Sequence, residues 1–189
     1  YENCVQAGAV TWQKHFIDDK SLFPAHGNPA DMDGDGDLDV VMALGFYFRP
    51  DSDDPHASRK REDNQIVWYE NDGTPAGGPW KKHLIQARFD DAFEATAGDL
   101  DDDGVPDLAI GAPCAESEGK EKAGGFEVRS GRTGELLLEH SGQHAEDWMG
   151  WHIVRAENVG ASGQGRGLLV SALRREQDGQ AGAGALLLY

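Results

Sequence analysis

The apolar residues of this chain fall in short runs that turn-forming residues separate. Gly, Asp, Asn or Pro bounds each run, which is typical of strands joined by tight turns. No window shows a helical period of helical length with capping residues. The pattern therefore predicts an all-β protein. Its predicted strands are Val10 to Ile17, Leu38 to Leu44, Gln65 to Glu70, His83 to Ile85, Leu108 to Gly111, Phe126 to Arg129, Glu135 to Glu139, Leu168 to Ala172 and Ala185 to Tyr189.

The same pattern recurs along the chain. A shift of 68 residues places Tyr1-Glu2-Asn3 on Tyr69-Glu70-Asn71, and the 45 ungapped pairs from Tyr1 to Gly45 contain 12 identities. A weaker third copy aligns Asp107 to Pro113 with Gly167 to Leu173, 60 residues later. Internal repetition of this kind indicates a repeat architecture. We therefore predict one array of three units over residues 1–189, with units at 18–86, 87–145 and 146–189.

The length of each unit suits four short strands, which is the content of one propeller blade. A solenoid coil would usually need fewer residues. Three blades are too few to close a ring, since propellers have about 4–8 of them. The fold expected is an incomplete propeller of four-stranded blades, with an exposed polar loop at Arg49 to Asn64.

Two acidic loops, at residues 31–39 and 99–107, share the pattern D-x-D-x-D-G-x-x-D. Carboxylates at alternate positions of a tight loop converge on one point, and the glycine permits the sharp turn. Several hard oxygen ligands suit Ca²⁺ better than Mg²⁺, which retains more water. We predict two calcium sites. The expected ligands are Asp31, Asp33, Asp35, Asp39 and the carbonyl of Asp37 in one, and Asp99, Asp101, Asp103, Asp107 and the carbonyl of Val105 in the other.

An EF-hand is disfavoured for both loops. Its twelfth position requires Glu, whereas Met42 and Ile110 stand there, and each loop leads into a β-like run instead of a helix. The third unit has no comparable run of Asp, and Arg166 places a positive charge where a cation would lie. The prediction is therefore two sites, not three.

The segment Gly98 to Pro113, GDLDDDGVPDLAIGAP, resembles the FG-GAP repeat of integrin α-subunit propellers. The segments Ala30 to Val41 and Ile66 to Asn71 resemble the related VCBS repeats of secreted bacterial proteins, and Met149-Gly150-Trp151 resembles the "FG" half of a third unit. The resemblance implies a Ca²⁺-holding loop between the first two strands of each blade. It also implies an extracellular protein with an adhesive, carbohydrate-binding or structural role.

Charge and hydropathy exclude several partners. The 34 acidic and 17 basic side chains give a formal net charge of −17, which excludes a general binder of nucleic-acid backbones and argues against attachment to an anionic membrane. The longest apolar runs are only a few residues, so no segment is predicted to insert into a bilayer.

Other candidate residues give weaker signals. His15 and His83 share one repeat position, which favours packing over catalysis, and no arrangement of acid, base and nucleophile indicates an enzyme. The repeat positions of Trp12 and Trp80 predict core residues, whereas Trp148 and Trp151 are candidates for a sugar-binding platform. His140 and His144 lie across a Ser-Gly turn and make a poor zinc site. Cys4 and Cys114 are expected to form a disulfide, within one chain or, more easily, between copies.

The leading hypothesis is a secreted, calcium-binding structural or adhesive protein. The repeat places Val10 to Ile17 as a fourth strand without its own blade, whereas the third unit ends after a third strand. Residues 1–17 of one copy would then supply a fourth strand to the neighbouring copy, giving head-to-tail assembly into an extracellular filament. The first residue is Tyr, so the chain is expected to be processed or cut from a longer one.

Two alternatives stay open. The first is a carbohydrate-binding, lectin-like propeller module of a larger secreted protein, which would bind an extracellular glycan. The second is a polysaccharide-cleaving propeller, which would need a cleft with paired carboxylates that the sequence does not reveal.

Overall fold

The computed structural model describes residues 2–6, 8–21, 23–46, 64–159, 165–176, 180 and 182–189, and the side chains of residues 2–4 and 6 lie outside this description. The described residues form strands and turns and no α-helix. The strands are Glu2–Gln6 (β1), Ala9–Gln13 (β2), Pro24–Ala30 (β3), Asp39–Leu44 (β4), Gln65–Glu70 (β5), Lys81–Gln86 (β6), Glu94–Gly98 (β7), Asp107–Gly111 (β8), Gly125–Arg129 (β9), Leu136–Ser141 (β10), Met149–Val159 (β11), Gly165–Ala172 (β12) and Ala185–Leu188 (β13).

These strands form four antiparallel sheets. Strands β3 to β6 make a four-stranded meander, sheet 1, and β7 to β10 make a second one, sheet 2. Strands β11 to β13 make the three-stranded sheet 3, and β1 pairs with β2 in a hairpin. The all-β prediction is confirmed, and the two four-stranded meanders are propeller-like blades. The polar loop predicted at Arg49 to Asn64 lies, apart from Asn64, outside the described residues.

The hydrophobic core lies between successive sheets. Val41, Ala43 and Ile66 of sheet 1 pack against residues of sheet 2 that include Leu108 and Ile110. A second cluster joins sheets 2 and 3, and its buried members are Ala109, Phe126, Val128, Met149, Ile153, Leu168, Val170 and Ala172. Alternate residues of the strands point into these clusters because side chains alternate between the two faces of a sheet. The order of the sheets in space therefore follows their order in the sequence.

The first strands of the three sheets lie next to one another. Strand β3 contacts β7, and β7 contacts β11. The backbone N–H of His26 donates to the carbonyl of Phe93 at 3.0 Å, which fixes the start of β3 beside the residue that precedes β7. The sequence did not predict these three strands, because glycine, proline, alanine and polar residues interrupt any alternation in them. Their position next to neighbouring strands, not local propensity, makes them strands.

Backbones approach closely where sheet 3 meets sheet 2. Gly150 has a φ of 83°, and a Cβ added there would overlap the carbonyl oxygen of Gly125. A Cβ on Gly111 would in turn overlap the carbonyl oxygen of Gly150. The Met149-Gly150-Trp151 segment therefore needs glycine for two reasons: the positive φ of residue 150, and the close approach of the Gly125 carbonyl oxygen.

The hairpin β1–β2 keeps the repeat register at one pair, since Glu2 lies opposite Gln13 as Glu70 lies opposite Lys81, but its other pairs fall at positions that form the loop between β5 and β6. Val5 lies opposite Val10, and Asn3 lies opposite Trp12. Trp12 is 63% exposed, so the expectation that it is a core residue is wrong for this chain, whereas its repeat partner Trp80 is partly buried against sheet 1. Pairing of residues 1–17 with a blade of another copy stays a prediction.

Candidate metal centres

Both acidic loops join the first and second strands of a four-stranded sheet. Residues 31–38 connect β3 to β4, and residues 99–106 connect β7 to β8. Glycines with positive φ form the turns, with values of 81° at Gly34, 97° at Gly36 and 82° at Gly104. The loops therefore fold alike because they share the spacing of their aspartates and a positive-φ glycine at the sixth position, Gly36 in one and Gly104 in the other.

In the first loop, Asp31, Asp33 and Asp39 approach one another. One oxygen from each lies within 4.8 Å of an oxygen from each of the others. The Asp31 carboxylate also accepts the backbone N–H groups of Gly34 at 2.8 Å and Gly36 at 3.1 Å, so the loop wraps around this side chain. Three carboxylates at this separation can bind one divalent cation with little movement.

In the second loop, Asp99, Asp101 and Asp107 form the equivalent group. One oxygen of Asp99, Oδ1, is buried and has no hydrogen-bond partner among the described residues. A buried carboxylate oxygen without a partner is costly, and a bound cation removes that cost. The residues present therefore fit the calcium ion that the sequence predicts.

The last aspartate of each loop also has a structural role. Asp39 and Asp107 are fully buried, whereas Asp33 and Asp101 are exposed. The Asp39 carboxylate accepts the backbone N–H groups of Met32 and Asn71, both at 2.8 Å. The Asp107 carboxylate accepts those of Leu100 at 2.7 Å, Asp101 at 3.0 Å and Gly131 at 3.1 Å. Each buried aspartate thus ties its loop to the turn after the third strand.

The third aspartate of each loop lies outside these groups. Asp103 is held by Arg132, whose Nε lies 2.7 Å from its carboxylate and whose Nη2 lies 2.6 Å from its carbonyl. Asp35 and Asp103 also accept the backbone N–H groups of Asp37 and Val105, each at 2.8 Å. Metal ligation by Asp35 and Asp103, and by the carbonyls of Asp37 and Val105, stays a prediction.

The electrostatics of the two loops suit a cation. Desolvation raises the pKa of Asp33, and the negative charges of Asp35 and Asp39 add to that increase. Desolvation likewise raises the pKa of Asp101, with further contributions from Asp107 and its other acidic neighbours. Asp103 differs because its hydrogen bond with Arg132 lowers its pKa. A divalent ion would relieve the repulsion in each group and favour the ionised carboxylates.

Arg166 belongs to the third unit, but its side chain reaches the second acidic loop. Its Nη1 lies 2.8 Å from the carbonyl oxygen of Asp99 and 3.2 Å from Asp99 Oδ2, and it also pairs with Asp102. The sequence placed this positive charge only in the degenerate third loop, most of which lies outside the described residues. The arginine therefore lies against a loop of the preceding unit, beside its predicted calcium ligands.

A third group of metal-ligating side chains was missed by the sequence reasoning. His26, Glu94 and His152 lie on the first strands of sheets 1, 2 and 3, and their ligand atoms lie within 4.8 Å of one another. One signal could have indicated it, since the 68-residue shift that defines the repeat places His26 on Glu94. The group appears only when three sheets pack together.

The remaining predicted site residues lie apart from the acidic loops. Trp148 is only 8% exposed, Trp151 stacks on it with ring centroids 5.2 Å apart, and Arg174 lies over its ring. This burial leaves Trp148 little surface for a sugar, and the platform stays a prediction. Cys114 is buried beside Phe46 and Phe93. The side chain of Cys4 lies outside the described residues, so the disulfide also stays a prediction.

None of the described residues forms a helix long and apolar enough to cross a membrane.

No curated protein matches the chain significantly. A family model described as an FG-GAP-like repeat matches residues 31–110, a segment that contains both acidic loops and strands β4 to β7. The match agrees with the motif, the register and the four-stranded sheets described above. Residues 31–110 of this chain are therefore similar to an FG-GAP-like repeat.

Proposed function

We propose that this chain is a non-enzymatic calcium-binding repeat protein that acts outside the cell as a structural or adhesive module. The observation that carries the proposal is the pair of carboxylate groups, Asp31–Asp33–Asp39 and Asp99–Asp101–Asp107, at the same position of two successive sheets. FG-GAP-like repeats often bind calcium and are typically structural or adhesive modules of extracellular proteins, which supports each part of the proposal.

Calcium suits the two groups better than magnesium. Ca²⁺ takes six to eight oxygen ligands in flexible geometries, whereas Mg²⁺ demands a near-ideal octahedron and retains water. Each loop offers several carboxylates and carbonyls on one turn, and the spacing that the two loops share is made of oxygen ligands alone. Calcium would neutralise the local excess of negative charge and brace the connection between the first two strands of each sheet.

The direct test is calcium binding by the metal-free protein. Isothermal titration calorimetry after removal of metal with EGTA should give two Ca²⁺ per chain, and Ca²⁺ should raise the melting temperature by mass action. Mg²⁺ at the same concentration should bind more weakly. An unchanged melting temperature and no binding heat would refute the proposal.

Self-association is the second part of the proposal, and an apolar row on sheet 3 supports it. Val154 pairs with Leu169, and Leu169 pairs with Leu188, so the three side chains form a row across the sheet. The opposite face of the sheet carries Ile153 and Leu187, which pack towards sheet 2. The outer face is open, with Val154 57% and Leu188 53% exposed. We propose that a second copy covers it.

The hairpin offers the complementary surface. Val5, Val10 and Trp12 share one face of β1–β2, because Val5 lies opposite Val10 and Trp12 follows two residues later. All three are more than half exposed, at 65%, 56% and 63%. An isolated two-stranded hairpin is only marginally stable in water. Packing of this face on sheet 3 of another copy would give a head-to-tail contact, which repeats into a ring or a filament.

Glycan binding is the alternative function, and a groove beside Trp80 favours it. The partly buried Trp80 lines this groove together with Ile17, Asp18, Lys20 and Lys82. An aromatic ring flanked by charged groups is suited to a sugar, whose faces are apolar and whose edges carry hydroxyls. Saturable binding on a glycan array, lost in Trp80→Ala and retained in Trp148→Ala, would favour the alternative.

A further inference from the structure

Three side chains from three different sheets meet at one point. Nδ1 of His26 lies 3.4 Å from Oε2 of Glu94, and Nδ1 of His152 lies 3.2 Å from the same oxygen. We propose that His26, Glu94 and His152 form a site for one divalent transition-metal ion of the zinc type, separate from the two acidic loops.

The distances fit such an ion. Zinc binds imidazole nitrogen and carboxylate oxygen at about 2.0–2.2 Å, so two ligands of a tetrahedral site lie about 3.3–3.5 Å apart. The two distances measured to Glu94 Oε2 differ from that spacing by a few tenths of an ångström at most. The imidazole rings are tilted by 39° with centroids 4.9 Å apart, so small rotations of both rings can direct both nitrogens at one ion.

A hydrogen bond to the carboxylate oxygen that does not face the histidines orients the Glu94 side chain. Its side chain is almost fully buried, and Nδ2 of Asn28 donates to its other oxygen, Oε1, at 2.8 Å. The same amide group donates to the carbonyl of Ala95 at 3.0 Å, which fixes the Asn28 side chain. Outer hydrogen bonds of this kind orient metal-ligating carboxylates. Oε2 is thereby left facing the two histidines.

The surroundings also suit a metal with an accessible position. The Phe93 ring lies 4.4 Å from the His26 ring, and Trp151 packs against Phe93, so one side of the group is apolar. The side chains of His26 and His152 are 42% and 50% exposed, so the other side is open to solvent. Three protein ligands leave a fourth tetrahedral position for water or an oxygen donor of a ligand.

The chemistry of the donors separates this site from the acidic loops. Imidazole nitrogen suits Zn²⁺, Co²⁺ and Ni²⁺, whereas sites made only of oxygen suit Ca²⁺. Two neutral imidazoles and one carboxylate carry a charge of −1, which a dication more than neutralises. The chain would therefore bind two classes of metal at once without competition between them.

The ion would join three sheets through one bond to each. No single sheet contains the site, so binding should depend on the packing of β3, β7 and β11 and should stabilise that packing. This consequence gives a readout independent of the affinity itself.

The test uses the full chain saturated with Ca²⁺ and titrated with Zn²⁺ or Co²⁺. We expect one equivalent to bind, with visible d–d absorption of four-coordinate Co²⁺ and a higher melting temperature. His26→Gln and His152→Gln should each weaken binding by at least about tenfold and remove the thermal shift. The matched control is His144→Gln, since His144 is an exposed histidine that is not part of the group, and it should bind as the wild type does.

Two results would overturn the proposal. One is that the wild-type chain, with its Ca²⁺ bound, takes up no equivalent of Zn²⁺ or Co²⁺, a measurement that needs no variant. The other is that His26→Gln and His152→Gln, with native circular dichroism spectra and unchanged Ca²⁺ stoichiometry, still bind the metal with wild-type affinity. In that case the three side chains form only a hydrogen-bonded cluster.

Discussion

The carboxylate of Asp39 accepts the backbone N–H of Asn71 at 2.8 Å, across 32 residues of sequence. The bond joins the loop before β4 to the turn after β5, and Asp107 makes the equivalent bond to Gly131 in sheet 2. The same side chains belong to the proposed calcium groups. Each buried aspartate therefore stabilises the fold in two separable ways, through backbone hydrogen bonds and through the metal.

Asp39→Ala should destabilise the protein even in EGTA. It leaves the partly buried backbone N–H groups of Met32 and Asn71 without their acceptor, and each costs up to about 1–3 kcal/mol. We expect the free energy of unfolding to fall by about 2–4 kcal/mol, measured by urea denaturation. Asp33→Ala is the matched control because Asp33 is exposed, and in EGTA it should have almost no effect. Equal losses in the two variants would contradict the structural role of Asp39.

The number of bound Ca²⁺ ions should depend on which aspartate of the loop is neutralised, not only on the loss of one negative charge. Asp101→Asn removes a predicted ligand and should reduce the number of bound Ca²⁺ from two to one in a calorimetric titration. Asp102→Asn removes the same charge from the same loop, but Asp102 is paired with Arg166 and is not in the carboxylate group. It should still bind two ions. Loss of the second site in both variants would show that net charge, not ligation, controls binding.

Gly150→Ala should be much more costly than a comparable substitution elsewhere. Gly134 also has a positive φ, 74°, but a Cβ there would meet nothing within 4 Å. Gly134→Ala should therefore cost about 1 kcal/mol for its conformation alone. Gly150→Ala adds the overlap with the Gly125 carbonyl and should cost about 2–4 kcal/mol. Thermal or urea denaturation of both variants measures the difference, and similar losses would contradict the close approach of sheets 2 and 3.

Acid should remove one identifiable contribution to stability. Burial would raise the pKa of Asp18, but hydrogen bonds from Ser21, the Lys20 backbone and Tyr69 outweigh it and lower the pKa to about 2. Because the pKa is lower in the folded state, the stabilisation is present above about pH 4 and is lost as the pH falls towards 2. At pH 6 the free energy of unfolding of the wild type should exceed that of the Asp18→Asn variant by about 1–2 kcal/mol, after allowance for solvent screening. A difference that does not shrink in acid would contradict this assignment.

Assembly should depend on the apolar row of sheet 3. The chain with Ca²⁺ should form oligomers whose mass, measured by light scattering, rises with concentration. Leu188→Glu places a charge in the row and should shift the population to monomer. Leu137→Glu is the control, because Leu137 is a comparably exposed leucine on β10 of sheet 2. A wild-type chain that stays monomeric at high concentration would refute the proposed self-association.

The sequence was sufficient for the strands with strong apolar runs and for the acidic loops. Residues 65–70, for example, form β5 with the predicted bounds. The sequence was insufficient for β3, β7 and β11. Their glycine, proline and polar residues show no strand pattern, and these strands depend on contacts with neighbouring sheets. Within the loops, residue spacing could not indicate that Arg132 would hold Asp103, because the arginine comes from a turn 29 residues away.

The sequence also could not predict the proposed histidine site, because its members lie on strands far apart in the chain. His26 and His152 are separated by more than one hundred residues, and Glu94 lies on a third strand between them in the sequence. Only the packing of three first strands brings them to Glu94. A pattern within one unit indicates what that unit binds alone, whereas a site shared between units appears only in three dimensions.

The adjacency of β3, β7 and β11 has a consequence for how such a chain can change over generations. Duplication of one unit brings the same position of each copy to a common point, so an ancestral residue there would appear three times. A point mutation in one copy then changes one of the three side chains that meet there and leaves the other two unchanged. His26 and Glu94, which the 68-residue shift places at one position, fit such a history, in which copies of one position diverged to become complementary partners.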